Sequence, residues 1–136
     1  MTQRVLVVDD SALYRKIVTQ ALKGIPNVEV VGNAHSGEDA LRQIPGLRPD
    51  LMTIDLEMPV MNGIELVRRI TQQHPDISTV MVSAFTERGS TQTIEALEAG
   101  ALDFVTKAGK GSTEEQLGAI QSSLRQILSI HQLKML

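Results

Sequence analysis

Leu51-Met52-Thr53-Ile54-Asp55-Leu56-Glu57-Met58-Pro59-Val60-Met61-Asn62-Gly63 joins a short apolar run to one carboxylate and then to a loop. The run suits a strand, with Asp55 at its carboxyl end. Pro59 and Asn62-Gly63 break the chain there, proline through its fixed φ and the Asn-Gly pair through its tolerance of positive φ. In open α/β sheets the carboxyl ends of the strands and the loops after them form the crevice where ligands bind. Asp55 is therefore the candidate reactive residue.

The same arrangement, an apolar run ending in a polar group, recurs on both sides of this stretch. Residues 4–8 form a Val/Leu run followed at once by Asp9-Asp10-Ser11, a pattern that suits a strand buried on both faces. Residues 12–23 place Leu13, Ile17, Ala21 and Leu22 at helical spacing, with Asp10 or Ser11 positioned to cap and Gly24 to close. A second strand over 28–31 runs into Gly32-Asn33-Ala34. A helix opens at Ser36-Gly37-Glu38-Asp39, continues through Ala40, Leu41 and Ile44, and is expected to stop at Pro45-Gly46.

Beyond Asp55, residues 64–73 put Ile64, Val67 and Ile70 on one helical face, ended by His74-Pro75. Residues 79–83 read as a fourth strand with the Ser83 hydroxyl at its end. Residues 90–99 read as a helix with Ile94 and Leu97 inward and Gly100 as its stop. Residues 102–106 read as a fifth strand, followed directly by Lys107. Residues 108–112 read as a loose loop. Thr113-Glu114-Glu115-Gln116 is a capping-box pattern before a long helix, about residues 113–134, in which Leu117, Ile120, Leu124 and Ile127 repeat at three and four.

Five βα units with short loops imply an α/β fold, a doubly wound parallel sheet with right-handed crossovers and helices on both faces. For five strands the expected order is the flavodoxin-like 2-1-3-4-5, with its switch point between strands one and three. That order brings Asp9 and Asp10 beside Asp55 and sets Ser83 and Lys107 on the other side of the same crevice. A length of 136 residues suits a single domain.

Composition narrows the classes further. The only aromatics are Tyr14, Phe85 and Phe104, so the core is built from Val, Ile, Leu, Met and Ala. A net charge of −3 with interspersed signs argues against a nucleic-acid or anionic-membrane surface. The absence of cysteine removes disulfides and thiolate chemistry. No apolar run approaches a membrane span and no signal-peptide pattern precedes the first strand, so a cytoplasmic location is expected.

Converging carboxylates repel one another by on the order of a few kcal/mol per pair at an effective dielectric near 20. A hard divalent cation relieves this, and Mg²⁺ accepts a few carboxylate or carbonyl oxygens while keeping other positions for water and phosphate. Asp10 and Asp55, with a carbonyl from the following loop, suit such a partial cage, with Asp9 acting through water. Asp55 can then attack phosphorus as a carboxylate nucleophile, while Lys107 and the Ser83 hydroxyl meet the phosphoryl oxygens. Singly these residues have plainer readings: helix caps for Asp9 and Asp10, a turn for Asp55, a structural hydroxyl for Ser83 and a solvated cation for Lys107. Their joint placement at four strand ends favours the chemical reading.

The acidic pair Asp9-Asp10, Asp55 within Asp-Leu-Glu-Met-Pro-Val-Met-Asn-Gly, Ser83-Ala84 and Lys107 together resemble the receiver domain of two-component response regulators. Val8-Asp9-Asp10-Ser11-Ala12-Leu13 and the stretch from Glu87 to Val105 look more narrowly like the receiver half of chemotaxis protein-glutamate methylesterases, whose esterase half lies outside these residues. The resemblance implies Mg²⁺-dependent transfer of a phosphoryl group to Asp55 from a phosphohistidine on a sensor histidine kinase or a phosphotransfer protein. It further implies a conformational shift and self-catalysed loss of the phosphate. By the same resemblance Asp10, Asp55 and the Glu57 carbonyl hold the metal, Asp9 holds a metal-bound water, and Ser83 and Phe104 form a switch pair. The face made by the fourth helix, fifth strand and fifth helix is the one expected to change. In the family the lysine is usually followed by proline, whereas Ala108 follows Lys107 here.

Two other classes fit less well. A phosphohydrolase working through an aspartyl phosphate would have Glu57 two residues after its nucleophile, but no cap region. A nucleotide or flavin module would need a Gly-rich phosphate loop after the first strand, where Asp9-Asp10 stands instead. His35, His74 and His131 lack ligand spacing and read as surface residues, and Met58 and Met61 read as loop packing. Leu128, Ile130, Leu133, Met135 and Leu136 widen the apolar pattern at the end of the last helix, leaving open a homodimer contact or a lead into an output domain.

Overall fold

The computed structural model describes residues 2–84, 90–107 and 111–136. Strands and helices alternate along the chain: β1 Gln3–Val8, α1 Ala12–Lys23, β2 Val28–Ala34, α2 Gly37–Leu47, β3 Leu51–Ile54, α3 Gly63–Gln73, β4 Ser78–Ser83, α4 Thr91–Ala99, β5 Asp103–Thr106 and α5 Thr113–Lys134. All five strands pair in parallel, in the order β2-β1-β3-β4-β5. This is the flavodoxin-like doubly wound sheet expected from the sequence.

The period-2 alternation of each strand feeds two cores. Leu6, Val8, Met52, Ile54 and Met81 pack with residues of α2, α3 and α4 such as Ala40, Ile44, Leu66, Ile70 and Ala96. Val5, Val7, Leu51, Val80, Val82 and Val105 pack on the opposite face with Ile17, Val18, Leu22, Ile120 and Leu124 of α1 and α5. Full burial of one such side chain contributes about 1.5 to 3 kcal/mol, so burial on both faces fixes the register of the central strands. Met58 and Met61 are buried within the first core, as loop packing requires.

The structure corrects several local expectations. β2 runs to Ala34, because a register shift opposite Val5 and Leu6 lets Gly32-Asn33-Ala34 go on pairing with β1. α2 passes through Pro45 and ends at Leu47, with Arg48 in the left-handed conformation at φ 48° and its N–H on the Ile44 carbonyl. Proline in a last turn removes one hydrogen bond without ending the helix. On α1 the buried positions are Ile17, Val18, Ala21 and Leu22, while Leu13 is exposed.

α4 turns the other way from the reading given above. Thr93 and Ala96 are buried, whereas Ile94 is 49% and Leu97 44% exposed. The small side chains let α4 lie close to α3, where the Thr71 hydroxyl donates to the Ala99 carbonyl at 3.0 Å. α5 starts one residue earlier in its capping register, since Ser112 is the N-cap and Glu115 its reciprocal partner. His131 is buried, its Nδ1 2.7 Å from Gln3 Oε1, and Gln3 Nε2 donates to the Leu128 carbonyl at 3.1 Å. Leu128 also faces inward, leaving Ile130, Leu133 and Leu136 exposed at the end of α5.

Candidate functional site

The backbone ladder sets the site. Val8 pairs with Ile54, and the Asp55 N–H donates to the Val8 carbonyl at 2.9 Å, so the residues after β1 and β3 leave the sheet side by side. At the other flank Ser83 pairs with Thr106, and the Lys107 N–H donates to the Ser83 carbonyl at 2.9 Å. Four strand ends thereby deliver Asp9, Asp10, Asp55, Ser83 and Lys107 to one edge. Asp10, Asp55, Glu57, Ser83 and Lys107 line a single cavity of ≈ 330 Å³ together with Ser11, Tyr14 and Ala84.

Asp9, Asp10 and Asp55 each offer an oxygen, and the three oxygens lie within 4.8 Å of one another. Asp9 and Asp55 are buried, and Asp10 is exposed. Lys107 Nζ lies 2.8 Å from Asp9 Oδ2 and 3.3 Å from Asp55 Oδ1. Burial first, and then the charge of Asp9, push the Asp55 carboxyl up to about 7, against the opposing pull of Lys107. Two buried carboxylates sharing one ammonium are left short of positive charge. A hard cation held among these carboxylates would fit that deficit, and the all-oxygen donor set suits Mg²⁺.

The loop after Asp55 is built to close behind it. The Gly63 N–H donates to the Leu56 carbonyl at 2.8 Å. A Cβ at Gly63 would collide with the Asp55 carbonyl oxygen, so only glycine permits this approach. Asn62 is the N-cap of α3, its side chain accepting from the Glu65 N–H, with φ −75°. The positive φ expected at Asn62-Gly63 falls instead on Val60, at 70°, where the Met61 N–H reaches the Pro59 carbonyl at 2.8 Å in a γ-turn. Glu57 is exposed at the rim, and its backbone amide opposes, weakly, the upward push on the Asp55 carboxyl.

Phe104 stands apart from this group. It pairs with Met81 in the sheet, is half-buried, and packs against the core under α3 and α4, outside the cavity lining. The Lys107–Ala108 peptide, where the sequence departs from the family's Lys-Pro, lies outside the described residues, as does Phe85.

Two neighbours were not singled out from the sequence. Tyr14 presents its ring to Lys107, with Nζ 4.1 Å from the centroid, and its hydroxyl donates to Gln116 Oε1 at 3.2 Å. Arg15 donates to the Asp9 carbonyl at 2.8 Å, while Asp9 Oδ1 accepts from the Ser11 N–H at 2.9 Å. The available signal was position: both residues lie in the first turn of a helix that starts directly after the acidic pair.

Comparison with known proteins agrees with this geometry. The model of the response regulator receiver domain family matches residues 5–117. The chain is 47% identical over 131 residues to the protein-glutamate methylesterase/protein-glutamine glutaminase of Desulfotalea psychrophila, covering 96% of this chain and 36% of that protein. It is 46% identical over 121 residues to the protein of the same name from Bacillus subtilis, covering 89% and 33%. The chain thus spans about a third of the length of these curated relatives. The crystal structure of the response regulator domain of Thermotoga maritima CheB superposes with a TM-score of 0.85 at 39% identity, covering 95% of this chain and 96% of that one. Among the described residues no helix is long and apolar enough to cross a membrane. With four strand ends converging on one acidic cavity, and with a family match that covers both sheet and site, the chain belongs to the response regulator receiver domain family.

Proposed function

We propose that this chain is a single receiver domain over residues 1–136 that acts as a phosphorylation-dependent switch, with Asp55 as the phosphoacceptor. The observation that carries the reading is the placement of Asp55: buried in the lining of the cavity, with two more carboxylates and the Lys107 ammonium within reach. A carboxylate oxygen of Asp55 attacks the phosphorus of a phosphohistidine on a sensor kinase or phosphotransfer protein. The O–P bond forms as the N–P bond breaks, and the departing imidazole keeps the electron pair.

Asp10, Asp55 and the Glu57 carbonyl are the residues that would hold Mg²⁺, with Asp9 acting through water. When bound, the ion supplies positive charge to the phosphoryl oxygens. Lys107 brings its ammonium to a phosphoryl oxygen, and the buried Ser83 hydroxyl on the neighbouring strand end is a hydrogen-bond donor to another. The exposed side of α4, with β5 and α5, carries the change outward, Ser83 and Phe104 being the switch pair.

The likeness to chemotaxis methylesterases seen in the sequence, and a span of about a third of the relatives' length, support a place in chemotaxis as the receiver part of a longer regulator. The exposed Ile130, Leu133 and Leu136 suit a contact with an output domain or with a second copy of the chain. The test is intact mass after incubation with a small phosphodonor and Mg²⁺. The native chain gains one phosphoryl group, and Asp55→Asn gains none. Equal labelling of both contradicts the assignment of the acceptor.

A further inference from the structure

Lys107 is the sole ammonium named in the mechanism, and a lysine side chain is a compact charge on a flexible four-carbon stem. Something must hold that charge where transfer needs it. Two neighbours are anionic: Asp9 Oδ2 at 2.8 Å and Asp55 Oδ1 at 3.3 Å. Of the two, Asp9 is the nearer. The third neighbour is the ring of Tyr14, 4.1 Å from Nζ. An aromatic face attracts a cation through its quadrupole, most strongly where water is excluded, and Lys107 is only 7% exposed. Unlike a carboxylate, the ring holds the ammonium without cancelling its charge.

The ring is itself fixed. Tyr14 sits in the first turn of α1, and its hydroxyl donates to Gln116 Oε1 of α5 at 3.2 Å. The ring therefore spans from the helix after β1 to the helix after β5, the two elements that follow Asp9 and Lys107.

We propose that Tyr14 is a positioning residue of the acceptor pocket, its ring holding the Lys107 ammonium beside Asp55 for phosphoryl transfer. This rests on the reading of Asp55 as the acceptor. The ring face carries the effect, so phenylalanine preserves it and an aliphatic residue of similar bulk does not.

The test measures the initial rate of Asp55 labelling by acetyl phosphate with Mg²⁺ in the native chain, Tyr14→Phe and Tyr14→Leu. It also records the proton shifts of the Lys107 ε-methylene by NMR without donor or metal. Tyr14→Leu is expected to label about tenfold more slowly, and Tyr14→Phe within about twofold of native. The ε-methylene protons are expected to be shifted upfield by the ring in the native chain and Tyr14→Phe, and to lose that shift in Tyr14→Leu. A folded Tyr14→Leu that labels at the native rate, while Asp55→Asn stays unlabelled, overturns the role of Tyr14 and leaves the acceptor intact. An unlabelled native chain overturns both. Should Tyr14→Leu fail to fold, an unshifted ε-methylene in the native chain is enough to overturn the proposal.

Discussion

Lys107 Nζ lies closer to Asp9, at 2.8 Å, than to Asp55, at 3.3 Å, so one buried ammonium is shared between two buried carboxylates. Removing one partner of a buried charge pair is costly because the others stay behind uncompensated. Lys107→Met is expected to destabilise the metal-free protein by about 3 kcal/mol near pH 8, and by less near pH 5, where Asp55 can take up a proton. Urea unfolding at the two pH values measures the difference.

The Asp55 carboxyl carries its own pH signature. Its folded value is pushed up to about 7 from an unfolded 3.8, so between these limits the folded state binds more protons than the unfolded state. Stability from this group is therefore greatest at low pH and is lost as pH rises toward 7. Asp55→Asn removes that dependence and is expected to be more stable than the native chain above pH 7 without metal, by on the order of a few kcal/mol. Adding Mg²⁺ should raise the melting temperature of the native chain, and Asp10→Asn should blunt that rise.

His131 acts in the opposite sense. Burial lowers its pKa from 6.5, with the Lys134 charge adding to the effect and Asp50 opposing it. The unfolded chain then takes up a proton near 6.5 before the folded chain does, so this contribution is lost as pH falls through that range. Asp55 and His131 thus pull the pH profile in opposite directions. His131→Gln in an Asp55→Asn background should remove the loss of stability as pH falls through about 6.5, leaving the more acidic range to Asp39, whose lowered carboxyl pKa acts there. Gln3→Ala should cost about 2 kcal/mol, because it leaves the buried His131 ring without its partner and removes a second hydrogen bond to the Leu128 carbonyl.

Val60 is 92% exposed yet holds a φ of 70°, which a β-branched residue adopts only under strain. Val60→Gly loses almost no burial and relieves the strain, partly offset by greater freedom in the unfolded chain. A net gain of about 1 kcal/mol is expected in chemical denaturation.

The fold was legible because the central strands β1, β3 and β4, buried on both faces, read as largely apolar runs that give way to a polar residue at Asp9, Asp55 and Ser83. These runs and β5 placed Asp9, Asp10, Asp55, Ser83 and Lys107 at strand ends. What periodicity could not resolve was which face of a helix packs. In α4 the small residues Thr93 and Ala96 face inward while the bulkier Ile94 and Leu97 do not. The burial of His131 was hidden because its partner, Gln3, stands 128 positions away. Tyr14 escaped notice because its role depends on the ammonium of Lys107, brought over from β5 only by the folded sheet.

In the proposed function the side chain of Asp55 becomes an acyl phosphate. Borohydride reduces an acyl phosphate to the alcohol, so treating the labelled native chain and mapping its peptides tests the claim at a single residue. The expected product is homoserine at position 55, formed only when phosphodonor and Mg²⁺ are both present. Homoserine at position 9 or 10, or labelled protein that yields none at position 55, would contradict it.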